Sequence, residues 1–263
     1  MIQTFLSEEQ FRETLCCPLC LGALIWEKEG AQCPPCKRRF PKVQGVPNFL
    51  MPPLDELVAK NPFGVVDFWN TRRETWFGGP DCSAEGMDDH GERFLVPCKG
   101  TVLDVGCGKG PASDCAVDIF IPKPRVTNFI LADAEHLPFK AKSYDVVHSS
   151  FVIEHTLRPA DFILSLCRIA RSRVVLTTDN GEWLGILAFR LLNRGFLFHE
   201  EHMHLWPHPY LQNLCRRLGL EAKIDLLNCS RTWFTRWLAA LGKIPRFGVC
   251  CLNTIRVDIR LSL

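Results

Sequence analysis

Two pairs of cysteines near the start of the chain have the spacing of a metal site. Cys17 and Cys20 form one Cys-Pro-x-Cys pair, Cys33 and Cys36 form another, and twelve residues separate the pairs. Four thiolates on two tight turns can surround one zinc ion, and four sulfur ligands leave no open position for catalysis. We therefore expect structural zinc at these cysteines. A redox pair or four unrelated thiols is the alternative, and Cys16 could take the place of Cys17.

A glycine-rich stretch further along the chain could bind a ligand through its backbone. It reads Val102-Leu103-Asp104-Val105-Gly106-Cys107-Gly108-Lys109-Gly110. Glycines after a buried strand let the backbone approach a ligand closely and offer N–H groups to a carboxylate or phosphate. Dinucleotide sites use the pattern GxGxxG, whereas Pro111 follows here and Asp104 would repel a pyrophosphate. A cationic ligand at the carboxyl end of this strand fits better.

The sequence around this loop predicts an α/β fold. From Thr101 onward, apolar runs of strand length alternate with helical patterns, which is typical of a mostly parallel sheet with flanking helices. Apolar side chains at helical spacing predict helices over residues 158–170 and 209–218, the second ending at Gly219. Seven runs predict strands, at residues 102–105, 115–118, 128–131, 144–148, 173–177, 221–227 and 250–261.

The glycine stretch and several later segments resemble class I S-adenosylmethionine-dependent methyltransferases. Residues 104–110, DVGCGKG, look like motif I of these enzymes. The succeeding motifs of the type 11 subgroup are similar to residues 131–139, 143–147 and 152–155, and to EHMHLW at 201–206 before a helix. The resemblance covers residues 101–227. It implies a Rossmann-like, mostly parallel seven-stranded sheet, methyl transfer, and S-adenosylmethionine as cofactor.

The resemblance also implies which residues hold the methionine and ribose of the cofactor. Asp104 and the loop glycines Gly106, Gly108 and Gly110 would bind the methionine end. Asp118, which closes the second predicted strand, would accept both ribose hydroxyls, for which a carboxylate is the natural acceptor. Asp118 could instead be a solvent-exposed carboxylate at a strand end.

By the same resemblance, Ile119 would flank the adenine. Asp133 would accept the adenine amino proton while the Ala134 backbone contacts the ring. Ser149 and Ser150, after the fourth strand, would line the methionine side. The alternative for Asp133 is that it caps a turn.

Two connections are shorter than in the enzymes that the chain resembles. Only residues 106–114 join the first two strands, and residues 119–127, which include Pro122 and Pro124, join the second to the third. Nine extended residues span about 30 Å, and a five-residue strand is about 17 Å long, so a crossover without a helix is feasible. We expect a sheet trimmed after its first strand.

The cysteine segment resembles the zinc ribbon of the small activator subunit of tRNA and protein methyltransferases, and the N-terminal ribbon of a bacterial rRNA guanine-N1 methyltransferase. The likeness begins at Leu15 and ends with GVPNFL at 45–50. A segment of about fifty residues buries too little apolar surface for a stable core, so a metal would stabilise it. Lys37, Arg38 and Arg39 could touch RNA phosphates, or form a solvated turn.

No catalytic base is assigned from the sequence. Transfer from a sulfonium requires alignment and, for some acceptors, removal of a proton. The fourth strand leads into SSFVIEH at 149–155, which lacks the signatures of enzymes that methylate exocyclic base nitrogens or cytosine C5. Four histidines near the expected edge of the sheet are candidates for a base, although each could be structural: His155, His202, His204 and His208.

Composition bounds the remaining possibilities. Of the 263 residues, 47% are hydrophobic and 23% charged, with a net charge of +2, so the chain can bury a core and is not a strongly basic nucleic-acid binder. The N-terminus shows no secretory signal, and no apolar run reaches about 18 residues. We therefore expect a cytoplasmic protein with reduced thiols and no transmembrane segment.

The predicted organisation is a zinc ribbon over residues 1–52, a connector with a helix that could act as a lid over residues 53–98, and a methyltransferase domain over residues 99–263. We expect methyl transfer to an acceptor of unassigned class. Near-neutral charge favours a small molecule, glycan or lipid, whereas the ribbon's resemblance favours RNA. The alternative is a non-catalytic scaffold in which the ribbon and the trimmed fold bind a partner.

Overall fold

The computed structural model describes residues 2–52, 54–60, 99–108, 113, 115–122, 126–184, 202–227, 248–252 and 254–261. These residues form a two-stranded pair, a four-stranded sheet near the N-terminus and a seven-stranded sheet. The connector helix predicted over residues 65–77 and Gly110 of the glycine loop lie outside the described residues.

The N-terminal part consists of short strands and one capped helix. Strand β1 (Ile2–Gln3) pairs in parallel with β6 (Lys99–Gly100). Helix α1 (Glu8–Glu13) begins at a capping box, in which Ser7 and Gln10 each accept a hydrogen bond from the other's backbone N–H. The small sheet is antiparallel and contains β2 (Ile25–Glu27), β3 (Gly30–Cys33), β4 (Arg38–Val43) and β5 (Val46–Pro47).

The large sheet confirms the predicted fold class. Its strands are β7 (Val102–Val105), β8 (Cys115–Asp118), β9 (Asn128–Leu131), β10 (Tyr144–Ser150), β11 (Ala170–Asp179), β12 (Ala222–Leu227) and β13 (Thr254–Arg260). They lie in the order β12-β13-β11-β10-β7-β8-β9, and only β13 runs against its neighbours. Every residue of β7 and β9 is buried, as expected for strands covered on both faces.

Three further described helices precede or connect strands of this sheet, and the last two are amphipathic. Helix α2 (Leu54–Lys60) precedes it, α3 (Pro159–Ile169) joins β10 to β11, and α4 (His208–Arg217) precedes β12. Gly219, with φ +70°, terminates α4, and the Leu220 N–H donates a hydrogen bond to the Cys215 carbonyl at 2.9 Å. Within the described ranges, none of the helices combines the length and apolar character needed to cross a membrane.

The predicted boundaries hold at the first three strands and differ elsewhere. The strands predicted at 144–148 and 173–177 are longer, because β10 and β11 continue at their ends. The prediction of one strand over 250–261 was wrong at its start, where Gly248–Cys251 forms a 3-10 helix. In the second short connection, the described residues 119–122 and 126–127 form no helix, as predicted.

The N-terminal part shares its core with the large sheet. The Phe49 N–H donates to the Leu131 carbonyl at 2.7 Å, which joins the end of the small sheet to the end of β9. Phe139 makes edge contacts with Phe11 on one side and Tyr144 on the other. A second hydrophobic cluster combines side chains of the N-terminal part with side chains of the large sheet and its two short connections. Its members are Val46, Leu50, Cys107, Ala116, Ile121, Phe129 and Leu131.

Candidate functional site

The four cysteine sulfur atoms converge into one cluster. All lie within 4.8 Å of one another, with 3.9 Å between Cys17 and Cys36 and 3.5 Å between Cys20 and Cys33. Four sulfurs placed tetrahedrally at 2.3 Å from a central ion are about 3.8 Å apart. The cluster therefore has the dimensions of a zinc shell with four sulfur ligands.

The structure also distinguishes Cys17 from its neighbour Cys16. The sulfur of Cys17 belongs to the cluster and that of Cys16 does not. Cys16 is fully buried, its N–H donates to the Pro138 carbonyl at 2.8 Å, and burial raises the pKa of its thiol to about 11. Because its sulfur lies outside the cluster, Cys16 is not one of the four candidate ligands.

The loop after β7 has one closed side and one open side. Gly106 and Gly108 have φ values of +73° and +54°, a region that favours glycine. A Cβ on Gly106 would lie 2.1 Å from Val152 Cγ2, so this glycine allows the chain after β10 to pack against the loop. At Gly108, no atom of the described residues beyond its chain neighbours lies within 4 Å of the Cβ position. Among the described residues, nothing therefore fills the space over Gly108.

The carboxylate of Asp118 lies next to this opening. Its Oδ2 accepts the Gly108 N–H at 2.8 Å, and its Oδ1 accepts the N–H groups of Ile119 and Phe120 at 2.7 and 3.3 Å. Burial raises the pKa of Asp118 to about 6, and these hydrogen bonds offset part of the rise. Carboxylate oxygens have further lone pairs, so the group can still accept ligand hydroxyls. The loop and this carboxylate together fit a nucleoside with a free diol.

Asp104 belongs to a buried chain of hydrogen bonds between strands. Its Oδ1 accepts from His148 Nδ1 at 3.0 Å, and His148 Nε2 lies 3.2 Å from the Ser150 hydroxyl. The Thr177 hydroxyl donates to Ser150 at 2.7 Å. Asp104 and His148 are 1% and 0% exposed. These hydrogen bonds link the carboxyl ends of β7, β10 and β11. A direct contact between Asp104 and the methionine part of the cofactor stays a prediction.

His148 is not among the site residues predicted from the sequence. A signal was present, because a histidine inside the otherwise apolar run Tyr144–Ser150 requires a buried partner. The partner depends on register: His148 lies opposite Asp104 across the β10–β7 pair, and the sequence patterns did not align these two strands.

The remaining predicted cofactor residues lie at the same edge of the sheet. The Ser149 hydroxyl donates to the Val105 carbonyl at 2.8 Å, so it links β10 to β7. Asp133 caps the 3-10 helix Ala134–His136, accepting the Glu135 N–H at 3.0 Å, which is the alternative left open by the sequence. Ile119 and Ala134 are half-buried and follow β8 and β9. The parallel strands bring these positions together at their carboxyl ends, and the cofactor roles stay predictions.

The chain turns sharply after β10. Phe151 has a φ of +55°, which is uncommon for a bulky side chain, and its N–H donates to the Thr177 carbonyl at 2.9 Å. The 3-10 helix Ile153–His155 follows, and it contains the buried Glu154. Burial is the main cause that raises the pKa of Glu154 to about 8, and the negative charge of Asp179 adds to it. Unusual backbone geometry and buried ionisable groups cluster at functional sites.

Two of the four candidate histidines meet at this turn. The ring centroids of His155 and His202 are 4.7 Å apart, with an angle of 82° between the rings. The N–H of Met203 donates to the Glu154 carbonyl at 2.8 Å and so holds the second histidine's segment against the 3-10 helix.

The other two candidate histidines make different contacts. The ring of His204 is 5.3 Å from the Trp206 ring, between centroids. His208 Nδ1 lies 2.7 Å from Glu182 Oε2. Neither contact identifies a catalytic base, so none is assigned.

A family model described as a methyltransferase domain matches residues 84–223, which is 140 of the 263 residues. The chain belongs to the class I S-adenosylmethionine-dependent methyltransferases. This confirms the family and the enzyme class that the resemblance implied, and the family implies S-adenosylmethionine as cofactor. No curated protein sequence gave a significant match.

Solved structures of methyltransferases resemble this chain, and the first of those below supports the shared fold. A S-adenosylmethionine-dependent methyltransferase from Thermotoga maritima matches with a TM-score of 0.52 and 14% identity, over 76% of this chain and 99% of the other. One from Archaeoglobus fulgidus has a TM-score of 0.49 and 16% identity, over 74% of this chain and 100% of the other. Magnesium protoporphyrin IX methyltransferase from Synechocystis has a TM-score of 0.47 and 16% identity, over 79% of this chain and 100% of the other.

Proposed function

We propose that this methyltransferase binds S-adenosylmethionine over Gly108, with the ribose hydroxyls on the Asp118 carboxylate. The observation that carries the proposal is that no described atom occupies the space at Gly108, beside a carboxylate whose oxygens retain acceptor capacity. The adenine would lie beside Ile119, Asp133 and Ala134, and the methionine end would contact the loop, with its environment set by Asp104, Gly106, Gly110, Ser149 and Ser150.

When bound, the cofactor supplies an activated methyl group on a sulfonium. The residues of this chain bind and orient it. Val152 closes the Gly106 side of the loop, and the buried hydrogen bonds from Asp104 through His148 to Ser150 fix the strand ends that frame the site. The acceptor would approach over the carboxyl ends of β10 and β11, since the strand ends of an open α/β sheet form its ligand crevice.

Calorimetry with S-adenosylhomocysteine tests the cofactor site. The Asp118→Asn substitution removes charge-assisted hydrogen bonds to the ribose, which are worth about 1.5–3 kcal/mol. We therefore expect S-adenosylhomocysteine to bind about 10- to 150-fold more weakly. Asp161→Asn on the exposed face of α3 is the matched control and should bind like the wild type. Equal affinities for wild type and Asp118→Asn would contradict the proposal.

We also propose that Cys17, Cys20, Cys33 and Cys36 hold a structural zinc ion in a ribbon formed by residues 1–52. The sulfur distances support a tetrahedral shell, and the closed set of four ligands supports a structural rather than a catalytic ion. Residues 53–98 would form the connector, and residues 99–263 the methyltransferase domain. The core shared between the ribbon and the sheet makes the ion relevant to the stability of both.

For the acceptor, we propose a small molecule, glycan or lipid rather than RNA. A net charge of +2 over 263 residues supports this choice, because RNA binding depends on clustered basic residues that neutralise phosphates. The test is fluorescence anisotropy with a labelled tRNA at two salt concentrations. We expect no salt-sensitive binding, whereas affinity that falls steeply with salt would favour the RNA alternative.

A further inference from the structure

The turn after β10 carries a cluster of metal-ligating side chains that is separate from the cysteines. Ligand atoms of Glu154, His155 and His202 all lie within 4.8 Å of one another. We propose that these three residues form a second metal site, which binds a divalent transition metal ion through one carboxylate oxygen and two imidazole nitrogens.

The buried carboxylate is the strongest observation for a cation here. Glu154 is 1% exposed, and its Oε2 accepts the Thr178 hydroxyl at 3.1 Å. Its Oε1 is buried and has no hydrogen-bond partner among the described residues. A buried acidic group with an unsatisfied oxygen is rare, and a metal ion that displaces its proton is one way to satisfy that oxygen.

The site is built from two segments far apart in sequence. Glu154 and His155 lie on the 3-10 helix after β10, and the His155 N–H donates to the Val152 carbonyl at 2.9 Å. The other segment is fixed by the N–H groups of Met203 and His204, which donate to the Glu154 carbonyl at 2.8 and 3.1 Å. These backbone bonds place the His202 ring beside the His155 ring without any metal, so the three ligands are preorganised.

The donor atoms indicate the kind of ion. Two imidazoles and one carboxylate suit zinc, iron, cobalt or manganese in the divalent state, whereas magnesium and calcium prefer oxygen ligands. Three protein ligands leave at least one coordination position open, as in catalytic zinc sites with two histidines and a glutamate. The site therefore differs from the closed cysteine cluster in both donor atoms and access.

The position of the cluster indicates a use for the open coordination position. Val152, two residues before Glu154, contacts the Gly106 side of the cofactor loop. A metal ion at this turn would lie at the edge of the sheet over which the acceptor approaches, where it could bind an oxygen atom of the acceptor. This consequence rests on the proposed function, but metal binding itself does not.

The test is a titration of zinc-loaded, full-length protein with Co²⁺, followed by visible absorption and metal analysis. We expect one Co²⁺ per chain in addition to the zinc, with ligand-field bands and no thiolate-to-cobalt charge transfer. His202→Ala and Glu154→Gln should each weaken Co²⁺ binding by at least about 100-fold, since even the loss of an outer-shell partner costs about 10- to 100-fold. The first change lies on a half-buried loop and the second preserves shape, so both should fold.

The matched control is the Glu182–His208 pair, which has the same residue types and whose members bind each other at 2.7 Å. His208→Ala should leave Co²⁺ binding unchanged. No additional Co²⁺, Co²⁺ that shows only thiolate charge transfer, or additional Co²⁺ that survives both variants would overturn the second site. Binding of S-adenosylhomocysteine by His202→Ala, measured in parallel, separates failure of this site from failure of the cofactor site.

Discussion

The cysteine cluster and the glycine loop show two different ways of building a binding site. In the cluster, four side chains from two short turns converge until their sulfurs lie within 4.8 Å of one another. In the loop, the backbone provides the surface. Val152 closes this surface at Gly106, whereas no described residue covers it at Gly108. The first site depends on local spacing, and the second depends on which strands the sheet places side by side.

The largest expected effect concerns the cysteine cluster. Cys17→Ser removes a ligand from the proposed zinc site. Structural zinc contributes on the order of 10 kcal/mol to the folding of small metal-binding domains, so we expect loss of stoichiometric zinc and a large fall in melting temperature. The measurement is zinc content together with thermal unfolding.

The adjacent Cys16→Ser is the control for that experiment. It places a hydroxyl in a buried position, which costs about 1–3 kcal/mol, but it should keep the zinc because Cys16 lies outside the cluster. If Cys16→Ser lost zinc and Cys17→Ser retained it, the ligand set would be wrong.

The contact between the two regions gives the next effect. Leu50 is 4% exposed and packs with Ala116, Phe129 and Leu131 of the large sheet. Leu50→Ala should lower the free energy of unfolding by about 2–5 kcal/mol, as expected for a cavity in a core. Leu19→Ala, at a position that is 49% exposed, should change it by less than about 0.5 kcal/mol in the same denaturant titration. Equal effects would mean that the ribbon does not support the sheet.

Much of the sheet could be predicted because its buried strands are apolar along their whole length and turn residues separate them. The cysteine cluster was predictable because its ligands come from two close pairs in one short segment. Three other features could not be predicted from the sequence. The Asp104–His148 bond depends on the register of β7 and β10, the Val152–Gly106 contact depends on the turn after β10, and the packing of Leu50 depends on how the ribbon docks. Patterns of spacing assign faces to elements but do not align distant elements.

Substitutions at Gly106 and Gly108 test the two sides of the loop separately. Gly106→Ala combines a left-handed backbone with a clash against Val152, so it should lower both stability and cofactor affinity. Gly108→Ala meets no described atom, so it should cost only about 1 kcal/mol of stability, from the backbone alone, while its methyl group enters the proposed ligand space. Calorimetry and thermal unfolding of both variants would show this division. Unchanged cofactor affinity in Gly108→Ala would argue against a ligand over that residue.

The smallest expected effect is a pH dependence at Asp118. Burial raises the pKa of Asp118 to about 6, above its ordinary value, so the folded protein favours the protonated form. The contribution of this group to stability is therefore largest at low pH and is lost as the pH rises through about 6. Cofactor binding should show the opposite sign, because the protonated group accepts hydroxyls poorly, and affinity should fall as the pH drops below about 6. Calorimetry from pH 5 to 8, with Asp118→Asn showing a flatter profile, tests this assignment.

The most direct test of the cofactor site is a crystal structure of the protein with S-adenosylhomocysteine bound. We predict that the nucleoside lies over Gly108 and that both ribose hydroxyls are within hydrogen-bonding distance of the Asp118 carboxylate. A complex in which the nucleoside occupies another part of the chain, with Asp118 bonded only to the N–H groups of Gly108, Ile119 and Phe120, would contradict the account.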